Sequence, residues 1–297
     1  MTGAGADRMA ATTDRRPAFG PRMLAMALIR LVVLGAAIFL LLAKSNEFMA
    51  GLSARPLAAV AVVVAMTALG LAVYVAFGRL VERRRVEELS LPGMGRELGL
   101  GLAVGAGLYA ASVLVLMVLG IYRIEGLNPW IFLLPAVAMA LSSGIFEELL
   151  FRGVLFRAVE EVFGSWTALV VSSAVFGFMH LLNPAGTVMG AVFISIEAGL
   201  LLAAAYMVTR RLWLGIGFHI AWNYTQSGIF SGVVSGSDSA PGLLRASIEG
   251  PAALTGGSFG LESSLVAFLL CTATGLILLA IAIRRGHVVP PAWRRPA

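Results

Sequence analysis

Eight long apolar runs dominate this chain, and they constrain its fold more than any other feature. They fall at residues 23–43, 57–78, 98–121, 129–150, 166–182, 186–208, 212–233 and 263–283. A helix needs about 20 apolar residues to cross bilayer hydrocarbon, and each run comes near that length. Inside lipid every backbone amide and carbonyl must find a partner within the protein, which favours helices. Composition agrees. The chain is 59% hydrophobic and 13% charged, against about 25% charged in a soluble domain. The expected fold class is all-α, a polytopic transmembrane helical bundle of about eight spans.

The charge pattern gives an orientation. The net charge is +6, with 22 Lys and Arg, of which only Lys44 is lysine. With the amino terminus inside, Arg79, Arg83, Arg84, Arg85, Arg96, Arg152, Arg157, Arg210, Arg211, Arg284 and Arg285 all fall inside, as do the terminal arginines. Only Lys44, Arg55, Arg123 and Arg245 fall outside, and Arg30 lies within the first run. That bias places both termini in the cytoplasm. The basic charge is therefore topological, and the expected partner is the lipid bilayer, anionic headgroups included, with no nucleic acid. The single Cys271 makes no intrachain disulfide. The first run lacks a small-x-small cleavage pattern and reads as a retained anchor.

Five regions follow. Residues 1–22 read as a disordered basic tail. Residues 23–121 hold the first three spans and a charged cytoplasmic loop, 79–97, expected as an interfacial helical piece or a solvated linker. Residues 122–233 form the core that carries the polar groups. Residues 234–262, rich in Gly and Ser, read as a flexible extracytoplasmic loop, and 263–297 as the last span with a basic tail. The stretch from Pro129 to Gly164 is longer than one crossing, so a tilted helix emerging into the cytoplasm is expected.

Within the core, ionisable groups sit where hydrocarbon makes them costly. Glu147 and Glu148 are adjacent, with Arg152 one turn on. Helical spacing lets Glu148 face Arg152, while Glu147 points about 100° away and stays free for proton transfer. His180 closes Phe176-Gly-Phe-Met-His180, and His219 and Asn223 share a face of the seventh run. Each has a structural reading as well: an interfacial salt-bridge cluster for the glutamates and Arg152, interhelical hydrogen bonding for His180, His219 and Asn223. Glu197, mid-way along the sixth run, is expected to pair with Arg30 across the bundle.

The three motifs, Glu147-Glu148-x-x-x-Arg152, Phe176-x-x-x-His180 and His219-x-x-x-Asn223, occur in that order. Together with Arg210-Arg211-Leu-Trp213 upstream of His219, they resemble the CPBP family. That family holds the type II CAAX prenyl proteases and the bacteriocin-processing or self-immunity (Abi) proteins. The resemblance covers residues 129–228 and implies an intramembrane endopeptidase. It implies that Glu147 with His180 activates the attacking water and that His219 and Asn223 hold the oxyanion. Glu148 and Arg152 would orient the site. The family is commonly labelled metalloprotease, so Zn held by Glu147, His180 and His219 is one possibility. Metal-free chemistry with Glu147 as general base uses the same residues, and no His-Glu-x-x-His pair decides between them.

The implied substrate is a peptide or membrane-tethered protein. The near absence of lysine suggests a GC-rich bacterial genome, hence a bacterial plasma membrane, where prenylated substrates are not expected. Two alternatives compete: a proton-coupled transporter, and a non-catalytic scaffold or immunity protein on the same fold. One tension stands. Eight regular spans put His180 near the outer end of its helix and His219 nearer the inner side. A turn at Asn183-Pro184-Ala-Gly186 within the membrane, or a steep tilt of the fourth span, would reconcile them. The site would then open as a water-filled cavity, expected to face the cytoplasm.

Overall fold

The computed structural model describes residues 20–238 and 240–295; the expected N-terminal tail lies almost wholly outside them. Three helices come first, α1 (Pro21–Gly51), α2 (Pro56–Leu80) and α3 (Met94–Val118), followed by β1 (Tyr122–Leu127). A continuous helical stretch, Trp130–Leu182, comes next. Gly164 breaks it with φ 81° and ψ 170°, giving α4 (residues 133–163) and α5 (165–179). A Cβ at Gly164 would meet the Val289 carbonyl at 2.8 Å, so glycine answers both the positive φ and the close approach. The remaining elements are α6 (Val188–Thr209), α7 (residues 213–229), β2 (Leu244–Ile248) and α8 (Leu265–Arg284).

Among the described residues six helical stretches are long and apolar enough to cross a membrane. The eight expected runs correspond to the eight helices α1–α8: the 53-residue stretch holds two of them, α4 and α5, on either side of Gly164, and α7 is the short one. The α7 helix has 11 α-helical residues and then six in a wider π-helical turn. Leu28, Val32, Leu57, Val170 and Ile277 point outward, as expected of helices that meet lipid. The chain is an integral, multi-pass helical membrane protein.

The two ends of the bundle differ chemically. At one end lies a lattice of buried ion pairs. Arg30 donates to Glu82 and Glu161, Arg84 to Glu82 and Glu88, and Arg157 pairs with Glu88 at 2.8 Å. Arg210 pairs with Glu160. The start of α1, the inner part of α4 and the C-terminal segment also pack together here, through Met23, Ala158, Val162 and Ala292. Both ends of the described chain therefore meet on this arginine-rich face. Two expectations need correction. Arg30 does not pair with Glu197: it lies in the first third of α1 and turns to Glu82 of the loop and Glu161 of α4, whereas Glu197 sits deep in α6. Residues 81–93 form no interfacial helix, only a short 3-10 turn, Glu87–Leu89, because Glu88 is drawn inward onto Arg84, Arg157 and the Tyr74 hydroxyl.

Burial works against ionisation of Glu88, but Arg157 and Arg84 outweigh it and hold the carboxyl at about 2, below the usual 4.5. A depressed carboxyl stabilises the fold above its unfolded value, and that contribution is lost as the pH falls from about 4.5 towards about 2. The loss should amount to about 3 kcal/mol. Thermal unfolding in detergent, followed between pH 6 and pH 2, should show this acid limb, and Glu88→Gln should flatten it.

At the opposite end β1 pairs antiparallel with β2, Tyr122 against Ile248. Tyr122 donates its hydroxyl to the Phe230 carbonyl at 2.9 Å. The described part of residues 234–262 thus carries a paired strand and short helical turns. Phe259 is buried, and the Gly236 amide donates to its carbonyl at 2.8 Å. A Gly/Ser-rich composition hides this because the ordering partners are distant in sequence.

Candidate active site

Glu147 and Glu148 lie where α4 passes between two apolar cores. Phe146 and Leu149 belong to one and Phe151 to the other. A π-helical turn, Leu149–Phe156, follows at once. Such turns also flank Glu197 (Ser195–Gly199) and follow Asn223 (Tyr224–Ile229). A π turn widens the helix and re-aims side chains, and it is frequent at functional sites.

Arg152 donates to Glu148 at 2.8 Å, with both side chains fully buried. The i, i+4 spacing foretold this pair. Glu148 in turn accepts from His219 Nδ1 at 3.2 Å. The helix α7 comes this close because Gly215 leaves room: a Cβ there would lie 2.9 Å from Glu148 Oε2. His219 Nε2 then faces Glu147 Oε2 at 3.7 Å, and that oxygen is buried without a hydrogen bond. One imidazole therefore stands between the two glutamates, a juxtaposition the motif order did not reveal.

His180 caps α5. Its Nδ1–H donates to the Phe176 carbonyl at 2.8 Å, which leaves Nε2 as the ring nitrogen free for chemistry. The Phe176 ring joins the set: its centroid is 5.0 Å from that of His180 and 5.9 Å from that of His219, and the Arg152 guanidinium lies 4.7 Å over it. Asn223 donates Nδ2–H to Ser143 Oγ at 2.8 Å.

A cavity of about 180 Å³ collects these groups, lined by Glu147, His180, His219 and Asn223 together with Ser143, Glu197 and Glu262. Glu148 and Arg152 sit behind it. The depth tension resolves through α5, whose 15 residues span only about 22 Å. The turn after it is held down by the long outer loop, with Asn183 Nδ2 donating to the Ser235 carbonyl at 2.7 Å. The expected cytoplasmic mouth is corrected by the same fact. Asn183, Ser235 and Ser237 line the cavity, all from the end opposite the arginine lattice, and no residue of that lattice lines it.

The metal reading is tested by the donor geometry. Each histidine engages Nδ1 with the protein, which leaves Nε2 as the nitrogen a metal would use. Among the described residues no three of His, Cys, Asp or Glu converge as a metal-binding group. No step is therefore derived through a metal.

Sequence reasoning missed Glu262 and Ser143. Glu262 was hidden in the Gly/Ser-rich loop; its one signal is an acid two residues before the N-cap-like Ser264 of the last apolar run. No curated protein and no solved structure matches the chain. The helices that carry the cavity's acid, imidazoles and amide are those of residues 129–225, and this segment matches the family model of the Type II CAAX prenyl endopeptidase Rce1-like domain, the family that its motifs resemble.

Proposed function

We propose that the protein is an intramembrane endopeptidase of the CAAX-protease type, cleaving a peptide or membrane-associated protein in a bacterial plasma membrane. The observation that carries this reading is the cavity itself: Glu147, His180, His219 and Asn223 around one space within an apolar bundle. Glu147, with a partnerless oxygen beside that space, takes the proton of a water while the Nε2 lone pair of His180 holds the water in line. The water attacks the scissile carbonyl. Asn223 and a protonated His219 donate to the oxyanion, the usual large contribution in acyl transfer. Glu147 then returns the proton to the departing amine. Glu148, fixed by Arg152, sets the plane of the His219 ring by accepting from Nδ1.

The test compares membrane peptide profiles of cells carrying wild type and Glu147→Ala. The reading expects peptides that disappear in the variant; identical profiles would refute it. The purified enzyme should retain its cleavage rate after exhaustive EDTA treatment. A loss reversed by Zn would restore the metal-dependent alternative.

A further inference from the structure

Two carboxyls in the cavity have no part in the reaction just described. Glu197 comes from the π-helical turn of α6 and Glu262 from the turn before α8; both line the cavity. They are 1% and 2% exposed. Glu197 Oε2 has no hydrogen-bond partner. Glu262 Oε2 accepts from Trp222 Nε1 at 3.3 Å, and its Oε1 has no hydrogen-bond partner.

Positive charge is short around them. No lysine or arginine lines the cavity. Arg152 is turned onto Glu148 and the Gly199 carbonyl, and His219 is committed to Glu147 and Glu148. Only His180 remains near Glu262, and it is a counter-charge only when protonated, a form in which its Nε2 cannot hold the water. Burial raises the Glu262 carboxyl above its usual range, although Ser235, His180 and Trp222 all pull it down. Buried carboxyls are costly without a counter-charge, and within a membrane such groups mark the path of a charged ligand. A bound cation would supply the counter-charge that the two carboxyls lack.

We propose that Glu197 and Glu262 form a subsite for a cationic side chain of the substrate, a lysine or arginine near the scissile bond. This rests on the endopeptidase reading and names the substrate class it lacks.

The test uses the full-length enzyme in detergent micelles and N-acetylated fluorogenic peptides. Each sequence is made as a pair, with lysine or norleucine at one position in turn; norleucine keeps the chain and drops the ammonium. At one position wild type should favour lysine by about 10⁴-fold in kcat/KM, as expected when a buried polar site meets a ligand lacking its partner group. Glu197→Gln and Glu262→Gln should each bring that ratio towards one. The ratio does not depend on how much of a variant is folded, and either variant suffices if the other fails to fold. Equal cleavage of lysine and norleucine peptides by wild type overturns the subsite. So does a ratio that survives both substitutions while both rates fall together. If wild type cleaves no peptide beyond a Glu147→Gln control, the endopeptidase reading itself fails, and the subsite with it.

Discussion

Glu147→Gln is expected to lower kcat by about 10³-fold or more, at the upper part of the range for loss of a positioned general base. The change should leave the fold intact. Glutamine has the same shape, and the replaced oxygen, Oε2, has no hydrogen bond to lose. Its nearest charged neighbour is His219 Nε2 at 3.7 Å, so removing the carboxylate alters a weak contact at most. The unfolding midpoint in detergent should therefore stay with wild type, and KM should change little because the carboxyl acts on water. His180→Ala should follow the same pattern, since that ring is tied to its own helix through the Phe176 carbonyl. Purified variants assayed for cleavage and unfolding in parallel decide the matter. If Glu147→Gln cleaves at the wild-type rate, Glu147 is not the base and the mechanism falls. If it unfolds, the structural reading of the glutamate pair gains instead.

Much of this was legible in the chain, for definite reasons. Helix number and type follow from apolar run length, because lipid leaves the backbone no other economical pairing. The Glu148–Arg152 pair follows from helical spacing alone. What spacing misses is contact between helices. That His219 stands between Glu147 and Glu148 depends on Gly215 letting α7 approach α4, and no local pattern announces such a meeting. The failed Arg30–Glu197 pairing has the same origin: opposite charges in two apolar runs suggest a partnership, but their depths decide it. Glu262 was concealed differently. A Gly- and Ser-rich segment reads as loose until its partners are known, and here they are β1, Asn183 and Trp222, each far away in sequence.

Removal of Arg152 is expected to do the greatest damage to stability, by about 3–5 kcal/mol, because it strands a buried carboxylate. Arg152 is 0% exposed and Glu148 1%. The guanidinium also donates to the Gly199 carbonyl at 3.1 Å and covers the Phe176 ring, so Arg152→Met loses bonds to α6 as well as the ion pair. Glu148→Gln together with Arg152→Met removes both charges at once and should recover most of that stability, as neutral replacement of buried pairs commonly does. Activity separates the two roles of the pair. Glu148 fixes the His219 ring through Nδ1 at 3.2 Å, and a glutamine in its place offers no charge to support a protonated imidazole. The double variant should be folded and yet slower by about 10²-fold or more, with the deficit in kcat. If recovery of the unfolding midpoint brings full cleavage with it, the buried pair serves packing alone, and the orientation of His219 must come from elsewhere in the bundle.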